Sequence, residues 1–114
     1  MMQRCFIRAG HKKKGELNRL EQLYAGILEL LKTAEEIRGY KFEKIKLKIG
    51  DGCWYTPDFM VLSKENEIEF HEVKGGFITD DALVKFKAAC DLYPYFKFVM
   101  MQYKGKQWNR IREN

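Results

Sequence analysis

YTPDFMVLSKENEIEFHEVKGG, residues 55 to 76, holds two apolar runs divided by Ser63-Lys64-Glu65-Asn66-Glu67, a polar string of turn formers. That layout predicts a β-hairpin. Pairing symmetric about Glu65 sets residue 59 across from 71, 61 across from 69, and Asp58 directly across from Glu72. A slip of one residue would move every side chain to the other face, so the register is decisive. Opposed residues on antiparallel strands have Cβ atoms roughly 4.5–5.5 Å apart, and like charges there repel. A divalent cation offsets such repulsion, because Mg²⁺ takes hard oxygen ligands and is commonly held by one or two carboxylates. Side chains alternate along a strand, so Glu72 and Lys74 share the face of Ile68 and Phe70, while His71 and Val73 point the other way. Two acids and an ammonium therefore meet at the end of the hairpin. Glu-x-Lys by itself is also an ordinary solvated strand ending; Pro57-Asp58 at the mirrored position is what favours a site. Pro57 suits the first residue of a strand, where no ladder donor is needed.

Upstream, residues 16 to about 37 read as an amphipathic helix, with Leu17, Leu20, Tyr24, Ile27, Leu28 and Leu31 at i, i+3, i+4, i+7 spacing and Gly39 closing it. Glu21 lies on the flank of the apolar stripe, Glu29 nearly opposite, and Glu16 in the first turn suits the helix dipole. An acid against the core face is either a snorkelling edge residue or a functional one. Tyr40 to Ile49, with Phe42, Ile45, Leu47 and Ile49 in partial alternation, reads as one strand, and Asp51-Gly52 turns it into Trp54-Tyr55. Downstream, Gly75-Gly76 ends the sheet and Thr79-Asp80-Asp81 caps a helix through Leu92, which Pro94 stops. Tyr95 to Tyr103 is a buried strand, and Lys104-Gly105-Lys106 turns into a short final strand holding Trp108. Tyr93, Tyr95, Phe96 and Phe98 are assigned to the core. The expected order is α-β-β-β-α-β-β.

The chain has 114 residues, 46% hydrophobic and 32% charged, which suits one domain with one core. No apolar stretch approaches the roughly 20 residues of a membrane span, and the start lacks a signal-peptide apolar region, so a cytosolic protein is expected. Cys5, Cys53 and Cys90 form no Cys-x-x-Cys and no zinc spacing with His11 or His71. The net charge of +5 and a pI near 9.1 accompany a basic run, His11-Lys12-Lys13-Lys14, in an N-terminal arm spanning residues 1–14. Nucleic acid is the usual polyanionic partner of such a balance, although three lysines in a row also make a common solvated loop.

A helix bearing Glu21, then Pro57-Asp58, then Glu72-x-Lys74 on the next strand resembles the PD-(D/E)XK nuclease superfamily. More narrowly, LNRLEQLYAGILELLK, KFEKIKLKI, YTPDFMV, FHEVKGG and DALVKFKAACDLYPYFKF, over about residues 17 to 99, are similar to small phage and prophage proteins of the endonuclease I, Holliday-junction-resolving type. The resemblance implies a restriction-endonuclease-like α/β core, of order α-β-β-β-α-β, with a central mixed sheet flanked by helices. It also implies a Mg²⁺-dependent endonuclease, Mn²⁺ substituting, acting on branched or otherwise structured DNA. Carried over residue by residue, Asp58 and Glu72 hold the metal and Lys74 acts near the scissile phosphate. Glu21 supplies a further acid on the metal side, and Lys85 an auxiliary cation near the phosphate. Outside the resemblance, the basic run Lys12, Lys13 and Lys14 is expected to bind the DNA backbone. Close approach to the metal would lower the pKa of Lys74. A homodimer would supply the second site needed to cut both strands. Two other readings compete: a DNA-binding module on the same scaffold without cleavage, and a protein-interaction domain.

Overall fold

The computed structural model describes residues 17–114, so the basic arm with Lys12, Lys13 and Lys14 lies outside the described residues, as does Glu16. Those described form a single α/β domain with a mixed sheet and two helices. Among them, no helix is long and apolar enough to cross a membrane.

Helix α1 runs over Arg19–Thr33, shorter at both ends than the periodicity predicts. It starts late because Asn18 caps it: its Oδ1 accepts from the Glu21 N–H at 2.8 Å, and Glu21 Oε1 accepts from the Asn18 N–H at 3.0 Å. It ends early because Glu35 takes φ 61 and the Glu36 N–H reaches back to the Leu31 carbonyl, a closure usually given to glycine. Gly39, expected to stop the helix, sits inside strand β1 (Ile37–Phe42) at a register irregularity.

The single strand expected over 40–49 is broken. At Glu43 the backbone turns to φ 46 and its N–H donates to the Asp58 carbonyl at 3.0 Å. The chain then leaves the main sheet for a separate hairpin, β2 (Leu47–Gly50) and β3 (Cys53–Tyr55), turning at Asp51-Gly52, where the glycine adopts φ +66. Five strands rather than three therefore precede the second helix.

Strands β4 (Phe59–Ser63) and β5 (Ile68–Lys74) pair antiparallel with Phe59 opposite His71 and Val61 opposite Glu69, the register read from the sequence. Helix α2 (Asp80–Leu92) is capped by the Thr79 hydroxyl, which accepts from the Ala82 N–H. It carries the chain to β6 (Lys97–Lys104), parallel to β5 as a helical crossover allows. Gly105 and Lys106, both at positive φ, make a two-residue turn into β7 (Gln107–Glu113), which is longer than expected. The main sheet has the order β1-β4-β5-β6-β7.

Side-chain alternation gives this sheet two apolar faces. Phe59, Val61 and Val73 pack on Tyr24 and Leu28 of α1, whereas Phe70, Phe98 and Met100 pack on Phe86 and Ala89 of α2 together with Leu47 and Tyr55 of the small hairpin. Phe98 belongs to that core, but Tyr95 is almost fully exposed. The helices thus cover opposite faces, and the β2–β3 hairpin completes the α2 layer beside the ends of β4 and β5.

Candidate active site

Asp58 immediately precedes β4 and Lys74 is the last residue of β5, so antiparallel pairing brings both to one end of the sheet. Asp58 is only 9% exposed. Its Oδ2 accepts from the Val73 N–H at 2.7 Å, capping the ladder where β5 outruns β4. Burial first, then the Glu72 and Glu21 charges, push the Asp58 carboxyl well above the usual carboxylate range, with the Val73 N–H and Lys74 opposing.

The carboxylates nearest to Asp58 include one the sequence did not flag. Oxygens of Glu21, Glu43 and Asp58 all lie within 4.8 Å of one another. Glu21 arrives from α1, where the capping box fixes one oxygen at the helix start. Glu43 arrives because Phe42 pairs with Phe59, so the next residue falls beside Asp58. That register was available in principle, but a continuous strand through 49 concealed it. Three carboxylates without histidine or thiolate make a hard oxygen donor set, the type that suits Mg²⁺ or Mn²⁺.

Glu72 is engaged differently. Its Oε1 accepts from the Tyr55 hydroxyl at 2.8 Å and its Oε2 pairs with Lys74 Nζ at 3.1 Å. Burial, then the Glu72 charge, hold the Tyr55 hydroxyl far above its ordinary pKa, so it remains a donor. Burial draws the Lys74 ammonium down, but Glu72, then Asp58 and Glu21, outweigh it and leave the group above the ordinary lysine value. The downward shift expected from sequence would need a cation beside it; without one, the acids set the opposite direction.

On the α2 side, Glu72 and Lys74 open into a cleft of about 550 Å³ between the β2–β3 hairpin and the start of α2, lined also by Trp54, Tyr55, Thr79 and Lys85. Lys85, one turn into α2, lies 3.6 Å from Asp81. The four residues expected to carry chemistry therefore share one end of the sheet, and Lys85 shares the cleft with two of them. His71 does face away: its Nε2 meets Glu69 Oε1 at 2.9 Å and its Nδ1 meets the Tyr24 hydroxyl at 2.6 Å, a packed structural histidine. A carboxylate only accepts, so His71 Nε2–H donates to Glu69, and that hydrogen bond holds the Glu69 carboxyl below its ordinary pKa.

No protein-family model matches the chain, and no curated protein matches it.

Proposed function

We propose that this protein is a divalent-metal-dependent nuclease that hydrolyses DNA phosphodiester bonds on a scaffold similar to the PD-(D/E)XK enzymes. The observation that carries the reading is Asp58: a buried carboxylate, crowded by Glu21, Glu43 and Glu72, next to a cleft that holds Lys74 and Lys85. Such crowding costs stability unless a cation offsets it. Asp58, Glu21 and Glu43 would hold the ion, and Glu72 stands opposite Asp58, one step beyond the Phe59–His71 pair. When bound, Mg²⁺ or Mn²⁺ neutralises charge on the phosphoryl oxygens and lowers the pKa of a coordinated water. The chain's own part is positioning. Lys74 reaches a phosphate or the attacking water at the mouth of the cleft, and Lys85 pairs with a neighbouring phosphate. The described residues of each chain offer one such centre, so paired cuts in two strands call for a homodimer, whose two-fold axis suits a two-fold junction.

The test is incubation of the protein with junction, flap, duplex and single-stranded DNA in Mg²⁺, Mn²⁺ or EDTA, alongside Asp58→Asn. Cleavage that needs the metal and is lost in the variant supports the reading. Cleavage that persists in EDTA or in Asp58→Asn refutes it. One observation favours a second reading, a DNA-binding module that does not cut: both Glu72 oxygens are already engaged, by Tyr55 and Lys74. Binding of DNA at low salt without cleavage in either metal would select it.

A further inference from the structure

Strand β3 alternates in a way that leaves one large aromatic unexplained by folding. Tyr55 turns inward, packs in the α2-side core and holds Glu72. Trp54 points to the other face, stays 51% exposed, and lines the same cleft as Glu72, Lys74 and Lys85. Lys48 is its direct partner across the hairpin and is exposed too, so an indole and an ammonium stand side by side on one face. The segment Lys44-Ile45-Lys46-Leu47-Lys48-Ile49 keeps its lysines exposed while Leu47 is buried and the isoleucines pack on the core. The hairpin is anchored, because the Tyr93 hydroxyl donates to the Lys48 carbonyl at 2.6 Å. An exposed tryptophan costs solubility and does little for the core. Beside Lys48, and lining a cleft that holds Lys74 and Lys85, its flat face suits a nucleobase.

We propose that Trp54 stacks on an unpaired base of the DNA strand whose phosphates lie along Lys48, Lys74 and Lys85, so that the cleft selects strands with an unstacked base over continuous duplex. This rests on the nuclease reading and narrows its substrate class to single strands, flaps and branch points. In duplex DNA the base faces are already covered by their neighbours, and only an unpaired base can turn one toward the indole. The lysines read the backbone of either form, whereas the stack distinguishes them.

The experiment measures affinity for an oligothymidine and for a blunt duplex of equal length, in EDTA and low salt, with wild type, Trp54→Ala, Trp54→Phe and Tyr95→Ala. One base–aromatic stack predicts that Trp54→Ala lowers the ratio of single-strand to duplex affinity by about 5- to 150-fold, with Trp54→Phe retaining most of it. Tyr95, exposed at the start of β6 and so at the opposite end of the sheet, should leave the ratio unchanged. An unchanged ratio in Trp54→Ala overturns the stacking inference. Intrinsic fluorescence gives an independent reading should Trp54→Ala fold poorly. The chain has two tryptophans, and Trp108 packs against Tyr24 and Tyr103. Quenching by oligothymidine should therefore appear in wild type and vanish in Trp54→Phe; quenching that survives in Trp54→Phe also overturns the inference. A wild type that cleaves DNA with Mg²⁺ but shows no effect at Trp54 refutes this inference alone. One that binds no DNA at low salt refutes the nuclease reading as well.

Discussion

Replacing Asp58 with asparagine removes one negative charge from a buried group of acids while keeping an oxygen to accept from the Val73 N–H. The new amide can donate to Glu21 or Glu43, whose oxygens lie within 4.8 Å. No polar atom is orphaned, and the repulsion is relieved. The sign with pH follows from the raised Asp58 pKa. Its protonated form stabilises the fold fully below the unfolded value near 4, and that contribution is lost as pH rises through the folded pKa, each unit of elevation costing about 1.4 kcal/mol. In EDTA, Asp58→Asn should thus melt at the same temperature as wild type or higher at neutral pH, with the gap closing at pH values below about 4. Divalent metal should reverse the ranking. At tenfold excess over its dissociation constant, a ligand that binds only the folded state adds about 1.4 kcal/mol. An unfolding entropy of roughly 2.1 cal/mol/K per residue converts that into a rise of about 6 °C for a domain of this size. Differential scanning fluorimetry from pH 3.5 to 8, with EDTA or titrated Mg²⁺ and Mn²⁺, reads both effects. A wild type indifferent to metal, an equal rise in Asp58→Asn, or a metal-free variant several degrees less stable at neutral pH would refute the reasoning.

Lys74→Ala should cut the single-turnover cleavage rate by orders of magnitude while weakening DNA affinity by less than about tenfold, roughly 1.4 kcal/mol; affinity lost in step with salt at an intact saturated rate would make Lys74 a phosphate anchor only. Tyr55→Phe leaves the buried Glu72 Oε1 without its donor and should cost about 1–3 kcal/mol in chemical denaturation, with the cleavage rate falling as Glu72 loses its orientation. Tyr24→Phe breaks the Tyr24–His71 hydrogen bond on the α1 side and should cost about 1 kcal/mol while leaving saturated cleavage unchanged; a large rate loss would return His71 to the chemistry. Glu43→Gln should weaken the metal-induced rise in melting temperature more than Glu29→Gln, whose carboxylate accepts from the exposed Tyr40 hydroxyl away from the site.

The hairpin register was legible in the sequence because it depends on local spacing: two apolar runs about a polar turn leave one pairing that buries Phe59 and Val61 on one face and Phe70 on the other. The same register implied the closeness of Asp58 to Glu72 and the sharing of a face by Glu72 and Lys74, and the Thr79 cap was equally local. Helix ends were less legible, since Asn18 outcompeted an earlier start and Glu35 adopted a left-handed turn without glycine. What only the tertiary structure decided was the consequence of the break at Glu43. The apolar phase shifts at Glu43-Lys44, from Tyr40 and Phe42 to Ile45, Leu47 and Ile49, so one regular strand would split them between faces; that the second half leaves the main sheet and packs on the α2 side is set by contacts distant in the chain. That break delivers Glu43 to Asp58, swings Tyr55 onto Glu72 and sets Trp54 at the cleft. Local patterning fixes which residues lie opposite each other within a hairpin. Contacts between elements distant in the chain depend on packing volume, which no short window of sequence contains.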